Sequence, residues 1–284
     1  MYSPIAIFAY NRYFHLEKLL NSLEDNDELS KSKIYIFCDG LRDDASEIDK
    51  ESHTKVKNLI MLFSQKYNCT LIFAPTNLGL TKSIVGGVNF VLKENEKVIV
   101  LEDDLLLSKS FLKYMNTALD MYCENDKVGC IHGWNYSIPI NLFRESSFFL
   151  KGADCWGWAT WKKSWNLYIH DANYLLHKIK NINGFNKFLL PNYDLLKLVS
   201  EKKHNSWAIR WHASLYINNK YCLYPSKSLV TNTGLDSSGS NCLPQNYFQI
   251  INSNIVLKKI KAKESRIYLI HLLIFKIRNK IEKI

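Results

Sequence analysis

The chain has 284 residues, of which 47% are hydrophobic and 23% are charged, and its formal net charge is +10. This composition is sufficient for one large α/β domain or two small ones with a buried core, and it excludes a disordered protein. Nine Lys or Arg and two Glu lie at positions 258–284, so this tail carries seven of the ten net charges. The rest of the chain carries a net charge of only about +3, which gives little support for the basic stripe that nucleic-acid binding needs. We therefore expect no nucleic-acid partner.

The seven cysteines are odd in number and scattered, with neither a C-x-x-C pair nor histidines at zinc-site spacing. This pattern favours reduced thiols in a cytoplasm. The apolar run at 4–9 is too short for a signal peptide and lacks a basic lead. No apolar run reaches the roughly 18 residues that a spanning helix needs, so we expect a cytoplasmic chain that does not cross a membrane.

Strand-like apolar runs alternate with helix-like segments over the first half of the chain. Strands are predicted at 5–9, 33–37, 70–73 and 98–101, and helices at 16–23, 56–63, 83–92 and 111–122. Four successive β-α units predict an α/β fold with a doubly wound, mostly parallel twisted sheet flanked by helices.

A polar loop follows each of these four strands. The loops contain Asn11-Arg12, Asp39-Gly40, Asn77 to Gly79 with Lys82 beyond, and Glu102-Asp103-Asp104. The carboxyl ends of parallel strands meet at one sheet edge, where open α/β sheets bind ligands. Arg12 or Lys82 alone would be read as a solvated surface charge, but together the loops predict a site for an anionic nucleotide. The GxGxxG and GxxxxGK[ST] patterns are missing, which argues against a nicotinamide enzyme or an ATPase.

The acidic triplet Glu102-Asp103-Asp104 directly follows a buried apolar strand. Adjacent carboxylates repel one another, and oxygen ligands suit Mn²⁺ or Mg²⁺, which commonly bridge protein carboxylates to phosphates. The alternative is that the acids cap a helix that begins near Ser108. The triplet therefore indicates either a metal site or a helix cap.

All seven tryptophans lie between positions 134 and 211. Trp161 and Trp165 are spaced as core residues of a helix, so packing is the favoured interpretation for them. In Trp156-Gly157-Trp158, the glycine between two indoles predicts a loop that approaches a ligand. A second cluster contains Trp207, and the Gly- and Ser-rich segment 232–241 predicts a loop able to close over a bound nucleotide.

The end of the chain has isoleucines at helical spacing within 265–284, with Lys and Arg between them. A basic amphipathic helix of this kind lies in the plane of an anionic membrane. The alternative is packing against the protein body or a second subunit.

The order of these motifs resembles the inverting nucleotide-sugar glycosyltransferases of the GT-A fold. The resemblance is carried by YNR at 10–12, CDG at 38–40, NLGL at 77–80 and VIVLEDDL at 98–105. The acidic motif is most similar to that of the N-acetylglucosaminyltransferase I type. The later segments CWGWATW, SWAIRW and LYPSKSLVTNTGLDSSGS resemble bacterial glycosyltransferases that build lipopolysaccharide or capsule.

The resemblance covers about residues 3–245 and implies one continuous GT-A domain. It divides into a nucleotide-sugar-binding half at 1–131 and an acceptor-binding half at 132–250, followed by the basic tail at 251–284. The implied donor-binding residues are Arg12, Asp39, Asn77, Gly79, Lys82, Glu102 and Asp103. Asp39 would hold the base, and Asp104 would ligate Mn²⁺ or Mg²⁺. The implied acceptor contacts are Trp156, Trp158 and Trp207.

The catalytic base is where the chain departs from the family pattern. An inverting enzyme needs a group that deprotonates the acceptor hydroxyl, but Asn205-Ser206 stands where the family has an Asp pair. Asp154, just before the CWGW segment, is the predicted base, and Asp236 in the glycine- and serine-rich loop is the alternative.

These observations predict a metal-dependent, inverting glycosyltransferase on the inner face of the cell membrane. It would move a sugar from a nucleotide donor, most simply a UDP-sugar, to a glycan or lipid-linked acceptor of a bacterial surface polysaccharide. The tail would contact an anionic membrane surface. A sugar nucleotidyltransferase is the rival enzyme, although it should carry a Gly-rich loop after the first strand. A non-catalytic glycan-binding module is the other rival, and it leaves the acidic triplet unexplained.

Overall fold

The structure is a computed structural model that describes residues 2–135, 146–182, 199, 206–236 and 256–265. The strands are β1 (Ile5–Ala9), β2 (Ile34–Cys38), β3 (Cys69–Phe73), β4 (Lys97–Glu102), β5 (Leu105–Leu107), β6 (Val128–His132), β7 (Ser147–Lys151), β8 (Trp158–Trp161), β9 (Tyr221–Pro225) and β10 (Val230–Asn232). The helices are α1 (Tyr13–Glu24), α2 (Glu47–Lys66), α3 (Leu80–Glu94), α4 (Phe111–Met121), α5 (Lys162–Trp165), α6 (Ala172–Lys180) and α7 (Trp207–Ile217).

Eight of these strands form a single sheet in the order β3-β2-β1-β4-β8-β6-β9-β7. The first four are parallel, in register from Ile5 against Ile34 and Ile99. They are the predicted strands, and α1, α2 and α3 connect them, so the predicted α/β fold with helices flanking a large sheet is confirmed. Every residue of β1 is buried, as expected for a central strand covered on both faces.

The second half of the sheet includes antiparallel strands that the sequence reading did not anticipate. β8 is antiparallel to both β4 and β6, and β7 is antiparallel to β9. Because β8 lies directly beside β4, strands from both predicted halves of the chain share one sheet and one core. The boundaries predicted at residues 131 and 250 stay predictions.

The segment after the acidic triplet is a short strand and not the start of a helix. β5 pairs antiparallel with β10 in a separate two-stranded sheet, and α4 begins only at Phe111. The triplet is therefore separated from the helix by a strand, and the helix-capping interpretation is wrong.

Residues 256–265 lie against the body of the protein. Glu264 forms an isolated parallel bridge with Phe149 of the edge strand β7, and the Ser265 amide donates to the Phe149 carbonyl at 3.0 Å. The Tyr122 hydroxyl accepts from the Ile260 amide at 2.9 Å. The predicted amphipathic helix at 265–284 falls almost wholly outside the described residues. None of the helices in the described ranges is long and apolar enough to span a bilayer.

Candidate functional site

The acidic triplet and Arg12 meet at the carboxyl edge of the parallel strands. β1 and β4 are neighbours, with Phe8 opposite Glu102, so the loops after both strands emerge side by side. The Arg12 guanidinium donates to the carboxylates of Asp103 and Asp104, the latter from Nη2 to Oδ2 at 3.0 Å. The sequence prediction that these loops converge is correct for this pair.

Burial and mutual repulsion raise the proton affinity of the carboxylates in this cluster. Burial, with a further contribution from Asp104 and against the attraction of Arg12, raises the pKa of Asp103 to about 6. Burial, followed by the charges of Asp104 and Asp103, raises the pKa of Glu102 well above its usual value. Burial opposes the charge on Arg12, but the two aspartates outweigh this effect and raise its pKa. One guanidinium therefore offsets only part of the negative charge of three carboxylates.

The segment that follows β10 covers the acidic cluster. The Thr233 amide and hydroxyl both donate to the Asp104 carbonyl, at 2.7 and 3.0 Å. A Cβ added to Gly234 would lie 2.6 Å from Asp104 Oδ2 and 2.9 Å from Arg12 Nη1, so only glycine lets the backbone approach this closely. The part of the predicted closing loop that is described therefore contacts the predicted metal ligand.

His15 and Asp236 extend this cover. His15 Nε2 lies 3.2 Å from Asp236 Oδ2, and a protonated His15 ring would lower the pKa of Asp103. His15 lies one helical turn beyond Arg12 at the start of α1. The sequence reading missed His15, Thr233 and Gly234. The i, i+3 spacing from Arg12 was the available signal for His15, whereas the other two contacts depend on the pairing of β10 with β5.

The Asp39 carboxylate accepts hydrogen bonds from the neighbouring loop. Its Oδ1 accepts the amides of Gly40 and Leu78 at 2.9 and 2.8 Å, and its Oδ2 accepts the amide of Gly79 at 2.9 Å. The Asn77 side chain donates to Asp39 Oδ2 at 3.3 Å and to the Gly40 carbonyl at 2.7 Å. The structure thus brings Asp39, Asn77 and Gly79 together, as predicted by their positions after β2 and β3.

Gly79 and Lys82 lie at the start of α3. Gly79 has φ of +77°, a left-handed conformation that favours glycine, and it is the residue before the helix. Lys82 is exposed on the first turn of α3. Its ammonium group is therefore available to an anion at this edge, although no described contact joins it to the acidic cluster.

Two of the three tryptophans predicted to contact an acceptor are core residues. Trp158 has no exposed surface and Trp207 is 3% exposed, and their rings stack at 5.3 Å. Trp158 also packs against Trp165 and Trp211, because β8 lies in the middle of the sheet. These buried rings cannot meet a ligand here, so acceptor contact stays a proposal only for Trp156.

Trp156 is partly exposed and packs edge-on against Trp134, with ring centroids 4.7 Å apart. The neighbouring Gly157 has φ of +62°, and an added Cβ would lie 2.9 Å from Val230 Cγ2. Close packing, and not a ligand, therefore explains the glycine between the two indoles. Packing is confirmed for Trp161 and Trp165, which are each 4% exposed.

Asp154 is partly exposed, and its Oδ1 accepts the Cys155 amide at 2.7 Å. Its own amide donates to His132 Nε2 at 3.2 Å. Ser206, at the position of the missing family aspartates, is the N-cap of α7 and accepts the Ile209 amide. Asp236, the alternative base, lies beside His15 and through it close to the acidic cluster.

The donor atoms at the β4 edge fit a hard divalent cation. Carboxylate oxygens are the ligands that Mn²⁺ and Mg²⁺ prefer, and such ions often use one or two carboxylates together with substrate phosphates. In the described residues, the three carboxylates do not converge as a complete ligand set, because Arg12 lies between Asp103 and Asp104. Arg12 acts as the counter-cation, and a site with one or two protein ligands matches this arrangement.

Comparison with solved structures gives distant neighbours. TarS from S. aureus is similar at 16% identity and a TM-score of 0.46, over 82% of this chain and 37% of that one. GalNAc-T7, solved with UDP, GalNAc and Mn²⁺, is similar at 11% identity and a TM-score of 0.47, over 81% of this chain and 43% of that one. A mannosyltransferase from Pyrobaculum calidifontis, solved with GDP-Man and Mn²⁺, is similar at 12% identity and a TM-score of 0.37. The similarity covers 66% of this chain and 51% of that one.

The chain thus spans between 37% and 51% of the length of these three proteins. No protein-family profile matches it. The mannosyltransferase among them is, by its name, of the enzyme class that the order of the sequence motifs resembles.

Proposed function

We propose that this chain is a metal-dependent glycosyltransferase that takes a sugar from a nucleotide donor. The observation that carries the proposal is the acidic cluster at the end of β4, where the Arg12 guanidinium is hydrogen-bonded to Asp103 and Asp104 and the crowded carboxylates raise the pKa values of Glu102 and Asp103. A cluster with surplus negative charge at the carboxyl edge of a parallel sheet is suited to hold a cation and, through it, a diphosphate.

Asp104 is the proposed protein ligand of Mn²⁺ or Mg²⁺, with Asp103 beside it. A divalent ion bound there would act as a Lewis acid and stabilise the departing nucleoside diphosphate. Arg12 would remain close to the phosphates and add positive charge, since its guanidinium already lies between the two aspartates. Thr233 and Gly234 lie against Asp104 and would help to hold it in place.

The nucleotide is proposed to lie along the loops after β2 and β3. All the described hydrogen bonds of the Asp39 carboxylate go to the Asn77–Gly79 segment and Gly40, so its contribution is to hold the shape of that loop as well as to face the base. Lys82, exposed on the next turn, supplies a cation for the donor phosphates. A UDP-sugar is the proposed donor.

Asp154 is proposed as the base of an inverting reaction. Its carboxylate is partly exposed and lies two residues before Trp156, the remaining candidate for an acceptor contact. Removal of a general base typically costs about 10²- to 10⁴-fold in rate, so Asp154→Asn should lose turnover by that order and keep donor affinity. If Asp236→Asn shows this pattern and Asp154→Asn does not, the base is Asp236. A product with retained anomeric configuration would exclude both.

The acceptor is proposed to be a glycan or lipid-linked glycan of a bacterial surface polysaccharide, reached from the cytoplasmic face of the membrane. The support is the motif resemblance and the basic composition of the tail. The screen of sugar donors described below would show whether the enzyme transfers a hexosyl or an N-acetylhexosaminyl group.

The test is donor hydrolysis and binding across UDP-, GDP-, dTDP- and CMP-sugars, with Mn²⁺, Mg²⁺ or EDTA. We expect hydrolysis of one donor class that requires the metal, and a rise in melting temperature with nucleotide plus Mn²⁺, because a ligand that binds only the folded state stabilises it. Asp104→Asn should remove both effects and leave the fold intact. Full activity in EDTA would refute the metal role, and pyrophosphate release from a sugar phosphate and a nucleoside triphosphate would identify the rival nucleotidyltransferase.

A further inference from the structure

A second group of metal-binding side chains lies in the other half of the sheet, away from the acidic cluster. Cys130 and His132 are two residues apart on β6, so their side chains project from the same face. Cys222 on β9 is the direct partner of Cys130 across the parallel pair. The two Sγ atoms and one ring nitrogen of His132 all lie within 4.8 Å of one another.

The group is sealed in the core. Cys130, His132 and Cys222 have no exposed surface. Tyr224 stacks on the His132 ring at a centroid distance of 4.6 Å, and Trp211 of α7 lies beside Cys130. Water therefore does not reach these polar atoms, and each needs a partner inside the protein.

Two buried nitrogen atoms in this group have no well-formed hydrogen bond within the described residues, although both side chains lie beside the Cys130 sulfur. His132 Nε2 accepts the Asp154 amide at 3.2 Å, but His132 Nδ1 makes no hydrogen bond within the part of the chain that is described. The indole Nε1 of Trp211 is likewise unpaired among those residues. Leaving a buried donor or acceptor unpaired costs about 1–3 kcal/mol. Such atoms around two sulfurs indicate that a ligand completes the group.

We propose that Cys130, His132 and Cys222 form a binding site for a thiophilic d¹⁰ metal ion, Zn²⁺ or Cu⁺. Thiolate and imidazole are the ligands that these ions share, and two thiolates would neutralise Zn²⁺ fully. Zn–S and Zn–N bonds of about 2.3 and 2.0 Å place ligand atoms about 3.5 Å apart. Small side-chain rotations would bring the three ligand atoms to that spacing. The Trp211 N–H then has a thiolate to donate to.

Binding of the ion is balanced by loss of protons. Each cysteine gives up its thiol proton to solvent as its sulfur bonds to the metal, and the imidazole stays neutral. With Nδ1 on the metal, the ring proton would reside on Nε2, which could then no longer accept the Asp154 amide. Metal binding should therefore be visible in the NMR signals of that amide and the His132 ring.

This site is chemically distinct from the acidic cluster, and the inference does not rest on the proposed function. Oxygen ligands at β4 select hard ions such as Mn²⁺, whereas two sulfurs select soft ions. Asp104→Asn should abolish Mn²⁺ binding and retain the sulfur-bound ion. Cys130→Ala and Cys222→Ala should lose the sulfur-bound ion and keep Mn²⁺ binding. Failure of the sulfur site can therefore be distinguished from failure of the proposed Mn²⁺ site.

The experiment is elemental analysis of the full chain, purified without a metal-affinity tag under reducing conditions. We expect about one Zn or Cu per chain in the wild type, and less than about a tenth of this in Cys130→Ala or Cys222→Ala. Cys69→Ala is the matched control, since Cys69 is a partly buried thiol in β3 at the far side of the sheet. It should keep the full metal content.

A readout on the unmutated protein covers the case in which the core variants fail to fold. Metal-free wild type titrated with Co²⁺ should develop a sulfur-to-cobalt charge-transfer absorption that Zn²⁺ abolishes. Competition with a Cu⁺-specific chelator identifies a copper site instead. Absence of bound metal together with no cobalt–sulfur absorption would overturn the proposal. Full metal content in folded Cys130→Ala and Cys222→Ala, or a Cys130–Cys222 disulfide in the isolated protein, would overturn it equally.

Discussion

The stability of the metal-free protein should fall as Asp103 ionises. The pKa of Asp103 in the folded state is about 6, against 3.8 for an ordinary aspartate. The folded protein therefore holds this proton more tightly than the unfolded chain does. Stability associated with the protonated carboxyl is fully present below about pH 4 and is lost as the pH rises through about 6.

The size of this effect follows from the pKa difference. A difference of about two units, at about 1.4 kcal/mol per unit, corresponds to a loss of about 3 kcal/mol between pH 4 and pH 7. Asp103→Asn has no proton to lose at this position. The difference in unfolding free energy between wild type and this variant should therefore change by about 3 kcal/mol over that window.

The assay is urea unfolding of both proteins in EDTA at half-unit pH steps. Glu102→Gln removes a neighbouring carboxylate. The fall in unfolding free energy between pH 4 and pH 7 should therefore be smaller in this variant than in the wild type. Glu124→Gln, at an exposed turn carboxylate after α4, is the matched control and should parallel the wild type. Parallel profiles for wild type and Asp103→Asn would show that the cluster does not hold its proton in the folded state, and the reasoning would be refuted.

The same proton competes with the metal. Mn²⁺ requires ionised carboxylates, so its affinity for the nucleotide-free protein should rise about tenfold per pH unit below pH 6 and level off above it. Calorimetric titration with Mn²⁺ measures this dependence. A Mn²⁺ affinity that is constant between pH 5 and pH 6 would show that metal binding does not depend on ionisation of Asp103.

Three further changes test other parts of the structure. Gly234→Ala pushes a methyl group against Asp104 and Arg12, with a strain of about 1–3 kcal/mol, and should weaken Mn²⁺-dependent nucleotide binding. Gly86→Ala is the control, because nothing lies within 4 Å of its new methyl group, and it should leave binding unchanged in the same titration. Trp158→Ala should lower the free energy of unfolding by about 3–5 kcal/mol. Trp156→Ala should lower it by clearly less, but should raise the KM for the acceptor more than Trp158→Ala does. Equal destabilisation by the two substitutions would contradict the assignment of Trp158 to the core. Deletion of 266–284 should release the protein from anionic vesicles in a sedimentation assay and spare transfer to a soluble acceptor, whereas unfolding of the shortened chain would make the tail structural.

The first half of the fold was predictable because its signals are local. Ile5–Ala9 was predicted with its observed bounds, and the next three strands were placed to within one residue at either end. The convergence of Arg12 with Asp103 across 91 positions also followed, since parallel strands present their carboxyl ends at the same edge.

The second half was not predictable in this way. β8 consists of Trp158-Ala159-Thr160-Trp161, which lacks alternation because both faces of a central strand are buried. Ligand contact was predicted for Trp158 from the glycine between two indoles, and only the pairing of β8 with β4 shows that Trp158 belongs to the core. The approach of Cys222 to Cys130 likewise depends on the pairing of β6 with β9, for which the intervening 91 residues contain no local signal.

The attachment of residues 256–265 to β7 fixes where a membrane-bound tail would leave the protein. Four strand spacings separate β7 from β4 in the sheet, and at about 4.8 Å each this amounts to roughly 19 Å. A tail that begins beside Phe149 would thus tether the chain at one flank and hold the acidic cluster about two nanometres along the sheet from the point of attachment. With the sheet upright on the membrane, a sugar acceptor carried on a lipid would need a headgroup long enough to cover that distance, whereas with the sheet lying along the membrane a short headgroup would suffice.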